Sequence, residues 1–144
     1  MPKEPDELIA RVNILSRTIQ HDLDAALAPT TLNASNYYFI LKLGTVDEMS
    51  QETLFKMIHL NPSNVTRRLA QLIALGFVVK RRSDEDKRAW VISLTPKGRR
   101  LVPMVRRIVT DYEATLTTGL SAAEKSAFKQ MLDVLNKTEK GSEL

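Results

Sequence analysis

The sequence predicts a mainly α-helical fold with a small β-hairpin wing: a winged helix-turn-helix flanked by N- and C-terminal dimerisation helices. Three observations carry that prediction. Apolar residues recur at steps of three and four along most of the chain, the period of an amphipathic helix. That period gives way to β-branched and aromatic runs at Phe77-Val78-Val79 and Trp90-Val91-Ile92-Ser93-Leu94, with a polar stretch between them too short for a helix. Positive charge gathers in the same region: residues 62–100 hold ten Lys/Arg against three Asp/Glu, residues 1–61 five against eight, and residues 101–144 six against six.

Taken in order, Leu8, Val12, Leu15, Ile19 and Leu23 mark a first helix over residues 6–27, ended by Pro29 and the Thr30-Thr31 pair. Asn33 or Ser35 is placed to cap a second helix through Tyr37, Tyr38, Ile40, Leu41 and Leu43, closed by Gly44. Ser50 precedes a short helix over residues 51–58, and His59-Leu60 form a tight connection. Asn61-Pro62 reads as an N-cap followed by an N1 proline, opening a helix that runs to Leu75 with Gly76 as its C-cap. The hairpin follows, with residues 81–88 as its charged tip. Thr95-Pro96 opens another helix, striped by Leu101, Met104, Val105, Ile108, Val109, Tyr112 and Leu116 and reaching about Leu120. Ser121 to Glu124 has the form of a capping box and starts a last helix with Phe128, Met131, Leu132 and Leu135 on one face; residues 137–144 are expected to fray.

This order assigns residues 31–100 to a winged helix-turn-helix DNA-binding domain and residues 1–30 and 101–144 to a helical dimerisation region. The flanking stripes are too long for the central domain to cover, so a second copy of the chain is the expected cover. Composition narrows the function classes. With no cysteine there is no disulfide, thiolate metal site or thiol redox sensor. The N-terminal MPKEPDELIARVN is charged and lacks an apolar stretch, so no signal peptide is expected, and no run approaches the ~18 apolar residues of a spanning helix. A cytoplasmic protein without membrane contact is expected. Focused positive charge, rather than the pI near 9.5, points to a polyanion partner.

A short helix, a tight turn and a second helix of about 14 residues is the pattern in which the second helix enters the major groove. A 100° wheel puts Val65, Leu69 and Leu72 on one side of that helix and Ser63, Arg67, Ala70 and Ala74 opposite, flanked by Asn64, Thr66 and Gln71. Small residues permit close approach, Arg67 can fork onto guanine, and Asn64 or Gln71 can read adenine. Arg68 lies nearer the buried side and is expected to snorkel to a phosphate. The hairpin carries Lys80, Arg81 and Arg82 at its base and Asp84, Glu85, Asp86, Lys87 and Arg88 at its tip. One Arg there can enter a narrow A·T-rich minor groove, with Asp86 orienting Arg88 or a base Arg. A solvent-exposed amphipathic helix and a solvated charged turn would carry similar patterns singly; helix, wing and charge together are more specific.

The stretch containing Val65-Thr66-Arg67, Leu72, Gly76, Arg81 or Arg82, Asp86-Lys87-Arg88, Leu94-Thr95 and Gly98 resembles the signature of the MarR family of dimeric winged helix-turn-helix transcriptional regulators. Residues Leu32-Asn33-Ala34-Ser35-Asn36-Tyr37 resemble the family's opening of the second helix, and the likeness extends over essentially the whole chain. The resemblance implies that Ser63, Asn64, Thr66 and Arg67 lie near bases or phosphates. It also implies that Arg88 is the minor-groove wing residue with Asp86 as its structural partner, and that the first and last two helices form the dimer interface. Phe55, Arg68 and Asn36 depart from the family pattern, in place of a small Ala, an apolar residue and a Gln.

The expected DNA-contacting set is therefore Ser63, Asn64, Thr66, Arg67, Arg68, Gln71, Arg82, Asp86, Lys87 and Arg88. Tyr37, Tyr38 and Tyr112 are weaker candidates to line a small-molecule effector pocket, against core packing. His21 and His59 lack a second ligand at metal spacing, and His59 reads as a structural or phosphate-facing turn residue. No cofactor, metal or catalytic constellation is expected, so the chain is not expected to be an enzyme. The function expected is a homodimeric, sequence-specific double-stranded DNA-binding regulator reading a pseudo-palindromic operator, a ligand-responsive repressor. The alternative is a winged-helix protein-interaction module without specific DNA binding.

Overall fold

A computed structural model describes residues 7–58 and 62–142. The elements are α1 (Leu8–Leu27), a 3-10 turn (Ala28–Thr30), α2 (Tyr37–Leu43), β1 (Met49–Ser50), α3 (Gln51–Met57), α4 (Pro62–Ala74), β2 (Val78–Arg82), β3 (Trp90–Leu94), α5 (Pro96–Leu116) and α6 (Ala122–Ser142). The chain divides into two compact units, residues 1–109 and 110–144.

The first unit is the winged helix-turn-helix with α1 and the first part of α5. Its core is drawn from Phe39, Ile40 and Leu43 of α2, Leu54 of α3, Val65, Leu69 and Leu72 of α4, Val78, Ile92 and Leu94 of the hairpin, and Val102 and Val105 of α5. The α4 stripe is the one the wheel predicts. A 13-residue helix is marginal alone, so burying Val65, Leu69 and Leu72, at roughly 1.5–3 kcal/mol each, is what holds α4 in place.

Caps set the element ends. Ser50 Oγ accepts from the Thr53 N–H at 3.1 Å, as its position before α3 suggests. The end of α4 is a Schellman turn: the Phe77 N–H donates to the Leu72 carbonyl and the Gly76 N–H to that of Ile73, with Gly76 at φ +82°. The start of α5 is pressed onto this turn. Thr95 N–H donates to the Phe77 carbonyl at 3.0 Å, Thr95 Oγ1 to that of Gly76 at 2.6 Å, and Lys97 Nζ to that of Leu75 at 3.0 Å. Gly98 is required there, because a Cβ would stand 2.2 Å from the Phe77 carbonyl oxygen.

Several boundaries differ from expectation. The sheet has three strands, ordered β1-β3-β2, with Met49 opposite Ile92 and Ser50 opposite Val91. A two-residue strand has no period of its own and exists only because β3 offers it a partner. β2 continues through Arg82, opposite Trp90, so the turn is confined to residues 83–89. At α2, Asn33 rather than Ser35 organises the entry: its Oδ1 accepts from the Ser35 N–H, and the buried Asn36 Oδ1 accepts from the Asn33 N–H, both at 2.9 Å. Regular helix begins only at Tyr37. The His59-Leu60 connection, His59 itself and the Asn61 cap lie outside the described residues, as does Asp6.

In the second unit, α5 stops at Leu116 rather than near Leu120. Thr117 Oγ1 donates to the Glu113 carbonyl at 2.7 Å and Thr118 Oγ1 to that of Ala114 at 3.0 Å, so hydroxyls meet terminal carbonyls. The capping box forms in both directions: Glu124 N–H donates to Ser121 Oγ at 3.1 Å and Ser121 N–H to Glu124 Oε1 at 2.9 Å. Helix α6 then continues to Ser142, beyond the expected fraying point. No helix among the described residues is long and apolar enough to cross a membrane.

Candidate nucleic-acid interface

Burial of Val65, Leu69 and Leu72 turns Ser63, Thr66, Arg67, Ala70 and Gln71 outward, with Asn64 half-buried beside them. The outward side is small and polar, as the wheel predicts, and its one long cation is held. The Arg67 guanidinium donates to Asn64 Oδ1, one turn earlier.

Arg68 faces elsewhere. It lines a cavity of about 380 Å³ with Gln20, Asp24, Tyr37, Tyr38 and Phe39, and its Nε is buried with no hydrogen-bond partner among the described residues. The structure thus separates Arg68 from Arg67 and brings it to Tyr37 and Tyr38. The two tyrosine rings meet edge to face, 6.3 Å between centroids at 74°. Burial, with a smaller contribution from Tyr38, pushes the Tyr37 phenol above its ordinary pKa of 10.0. Tyr112 belongs to the second unit, where it is half-buried.

The wing is ordered by side chains that fold its own backbone. Ser83 N–H donates to the Ala89 carbonyl and Ala89 N–H to that of Asp86, both at 2.9 Å. Asp86 Oδ1 accepts the backbone N–H of Arg88 at 3.0 Å, so the acid organises Arg88 through its main chain and leaves the Arg88 side chain exposed. Arg82 donates to the Lys87 carbonyl at 2.8 Å and lies 4.1 Å from the Trp90 ring centroid. Arg81 pairs with Glu48, just ahead of β1, and approaches Asp84 at 4.0 Å.

A basic hairpin beside a helix with this outward face sits on a fold that is already known. Residues 32–90 match the MarR family. The chain is similar to this family over that stretch, which runs from the approach to α2 into β3. It is 27% identical over 132 residues to the HTH-type transcriptional regulator YdgJ of Bacillus subtilis, covering 92% of this chain and 77% of that protein. It is 26% identical over 128 residues to an HTH-type transcriptional repressor of Mycobacterium tuberculosis, covering 89% and 90% respectively. The fold superposes on a mutant E. coli MarR solved with operator DNA at a TM-score of 0.82 and 21% identity, covering 90% of this chain and 94% of that one.

Within this fold, sequence reasoning missed three contributors. Trp90, read only as a strand residue, has both Lys80 and Arg82 over its ring. Glu48 engages Arg81 across 33 residues. Arg99 donates to the Val46 and Asp47 carbonyls, both at 3.0 Å, bracing the segment that leads into β1. The alternation of β2 and β3 was a usable signal for Trp90; for Glu48 and Arg99 no local signal exists.

Proposed function

We propose that this chain is a homodimeric transcriptional regulator of the MarR family that binds double-stranded DNA at a pseudo-palindromic operator and acts as a ligand-responsive repressor in the cytoplasm. The observation that carries the reading is the outward side of α4, small and polar around an Arg67 already held by Asn64. In the major groove, Arg67 would fork onto guanine and Gln71 onto adenine, with Ser63, Asn64 and Thr66 at bases or phosphates. Arg88 would enter the adjacent minor groove while Arg82, Asp86 and Lys87 shape or flank the wing. Residues 31–100 would form the DNA-binding part, and residues 1–30 and 101–144 the dimerisation region. The names of its relatives, regulator and repressor, support the sense of the reading.

The dimer is supported by apolar faces that the single chain leaves open. Leu8, Ile9 and Val12 of α1 and Met131, Val134 and Leu135 of α6 are each more than half exposed, between 54% and 69%. A second copy is their proposed cover, placing two α4 helices on half-sites about one turn (~10 bp) apart. The cavity at Tyr37, Tyr38 and Arg68 is the proposed effector site, with Tyr112 a weaker candidate; an effector would act by favouring a spacing of the α4 helices unable to bind DNA. No catalysis is assigned.

Footprinting the purified protein on DNA flanking its own gene tests this reading. A protected pseudo-palindrome and a steep fall of log affinity with log salt are expected. A monomer without duplex affinity at low salt would favour the alternative, a winged-helix module that presents its basic hairpin to an acidic protein.

A further inference from the structure

We propose that Trp90 is a positioning residue of the wing, whose indole gathers Lys80 and Arg82 into a paired cationic platform for a DNA backbone phosphate; this rests on the DNA-binding reading above. Register puts Arg82 directly opposite Trp90 and Lys80 opposite Ile92. With side chains alternating along each strand, Lys80, Arg82 and Trp90 share one face of the hairpin. Toward the base that face is Val78, Ile92 and Leu94, all buried; at Trp90 it changes from apolar to cationic.

The Lys80 ammonium lies 4.5 Å and the Arg82 guanidinium carbon 4.1 Å from the same ring centroid. Both distances are within cation–π range, so the ring's negative π density attracts each of the two cations. Three acids of this region are engaged elsewhere. Glu48 and Asp84 face Arg81, and Asp86 accepts the Arg88 N–H. Among the described residues, neither Lys80 nor Arg82 is in an ion pair. Two cations assembled without a counter-charge suit an external anion. Because the indole is half-buried and already carries both cations, it is not a free platform for an unstacked base, and a backbone phosphate is the fitting occupant. Arg82 also donates to the Lys87 carbonyl, so the same stack ties the platform to the turn bearing Arg88.

The test uses the full chain and a duplex recovered by its selection from random-sequence DNA, with affinity measured across a salt series. Trp90→Leu is expected to bind about fivefold more weakly and to flatten the log–log slope by about one phosphate contact per subunit, or about two for the dimer. Trp90→Phe, which keeps an aromatic face, is expected to stay within about twofold of the parent. The Trp90→Leu, Arg82→Ala double variant is expected to bind no worse than Arg82→Ala alone. Unchanged affinity and slope in Trp90→Leu, or an equal loss in Trp90→Phe, would overturn the proposal. A second readout needs neither DNA nor replacement of the indole. Trp90 is the chain's single tryptophan, so acrylamide quenching of its emission should rise in Arg82→Ala; unchanged quenching overturns the stack. If selection recovers no duplex, the DNA reading itself fails and the platform's role with it, while quenching still reports separately on the stack.

Discussion

Asn64 and Arg67 form a unit on the outward side of α4: the carboxamide oxygen accepts from the guanidinium one turn later. An arginine so held has lost part of its rotamer freedom before it meets a partner, which lowers the ordering cost of binding.

Replacing Arg67 with Ala should therefore cost roughly 1–3 kcal/mol of operator affinity and relax preference at one base position. Asn64→Ala should weaken binding less, with part of its effect absent in the Arg67→Ala background. Titration of the four proteins of this cycle against operator and single-base variants checks both; unchanged affinity in Arg67→Ala would remove that residue from base reading.

Asp86 acts on Arg88 through the main chain. Asp86→Ala should cost about 0.5–1.5 kcal/mol of DNA affinity by loosening the turn, while Asp86→Asn, which keeps an oxygen acceptor, should recover most of it. Arg88→Ala should lose affinity on A·T-flanked sites above all. Equal losses in Asp86→Ala and Asp86→Asn would show that charge, not the hydrogen bond, is what matters.

At Gly98 the backbone of α5 passes so near Phe77 that no Cβ fits. Gly98→Ala should destabilise the fold by about 1–3 kcal/mol or more, seen as a lowered unfolding midpoint in urea. A midpoint equal to the parent's would mean the two elements move apart at little cost.

The raised pKa of Tyr37 has a definite sign. Burial favours the neutral phenol, so its contribution to stability is fully present below pH 10.0, the unfolded value, and is lost as pH rises through the folded value. Thermal melts taken at increasing pH above 10.0 should thus fall more steeply in the parent than in Tyr37→Phe. Parallel curves would contradict the burial of that hydroxyl.

On the open face of α6, Leu135→Glu should drive the protein toward monomers in sedimentation velocity and weaken operator binding with it. A parent protein that sediments as a monomer would refute the dimer.

Much of the helical order is legible in the chain itself, because its signals are local. Ser50, the Ser121/Glu124 box, Gly76 and the α4 stripe of Val65, Leu69 and Leu72 each act within a turn or two of their own position. The motif around Asp86-Lys87-Arg88, which resembles that of the MarR family, marks the wing for the same reason, since the backbone bonds of its turn lie within residues 83–89. Pairing over distance was decided only in three dimensions. β1 exists because Met49 meets Ile92, and Arg81 is occupied because Glu48 reaches it from 33 residues away. The cations show the division best. Composition counts Arg67, Arg68 and Arg82 as equal charges, and the wheel separates Arg68 only roughly from Arg67. Folding puts Arg67 on the outward side, Arg68 into a cavity beside two tyrosines, and Arg82 against Trp90. A charge is a property of one residue, whereas its surroundings belong to whichever elements the core packs against it.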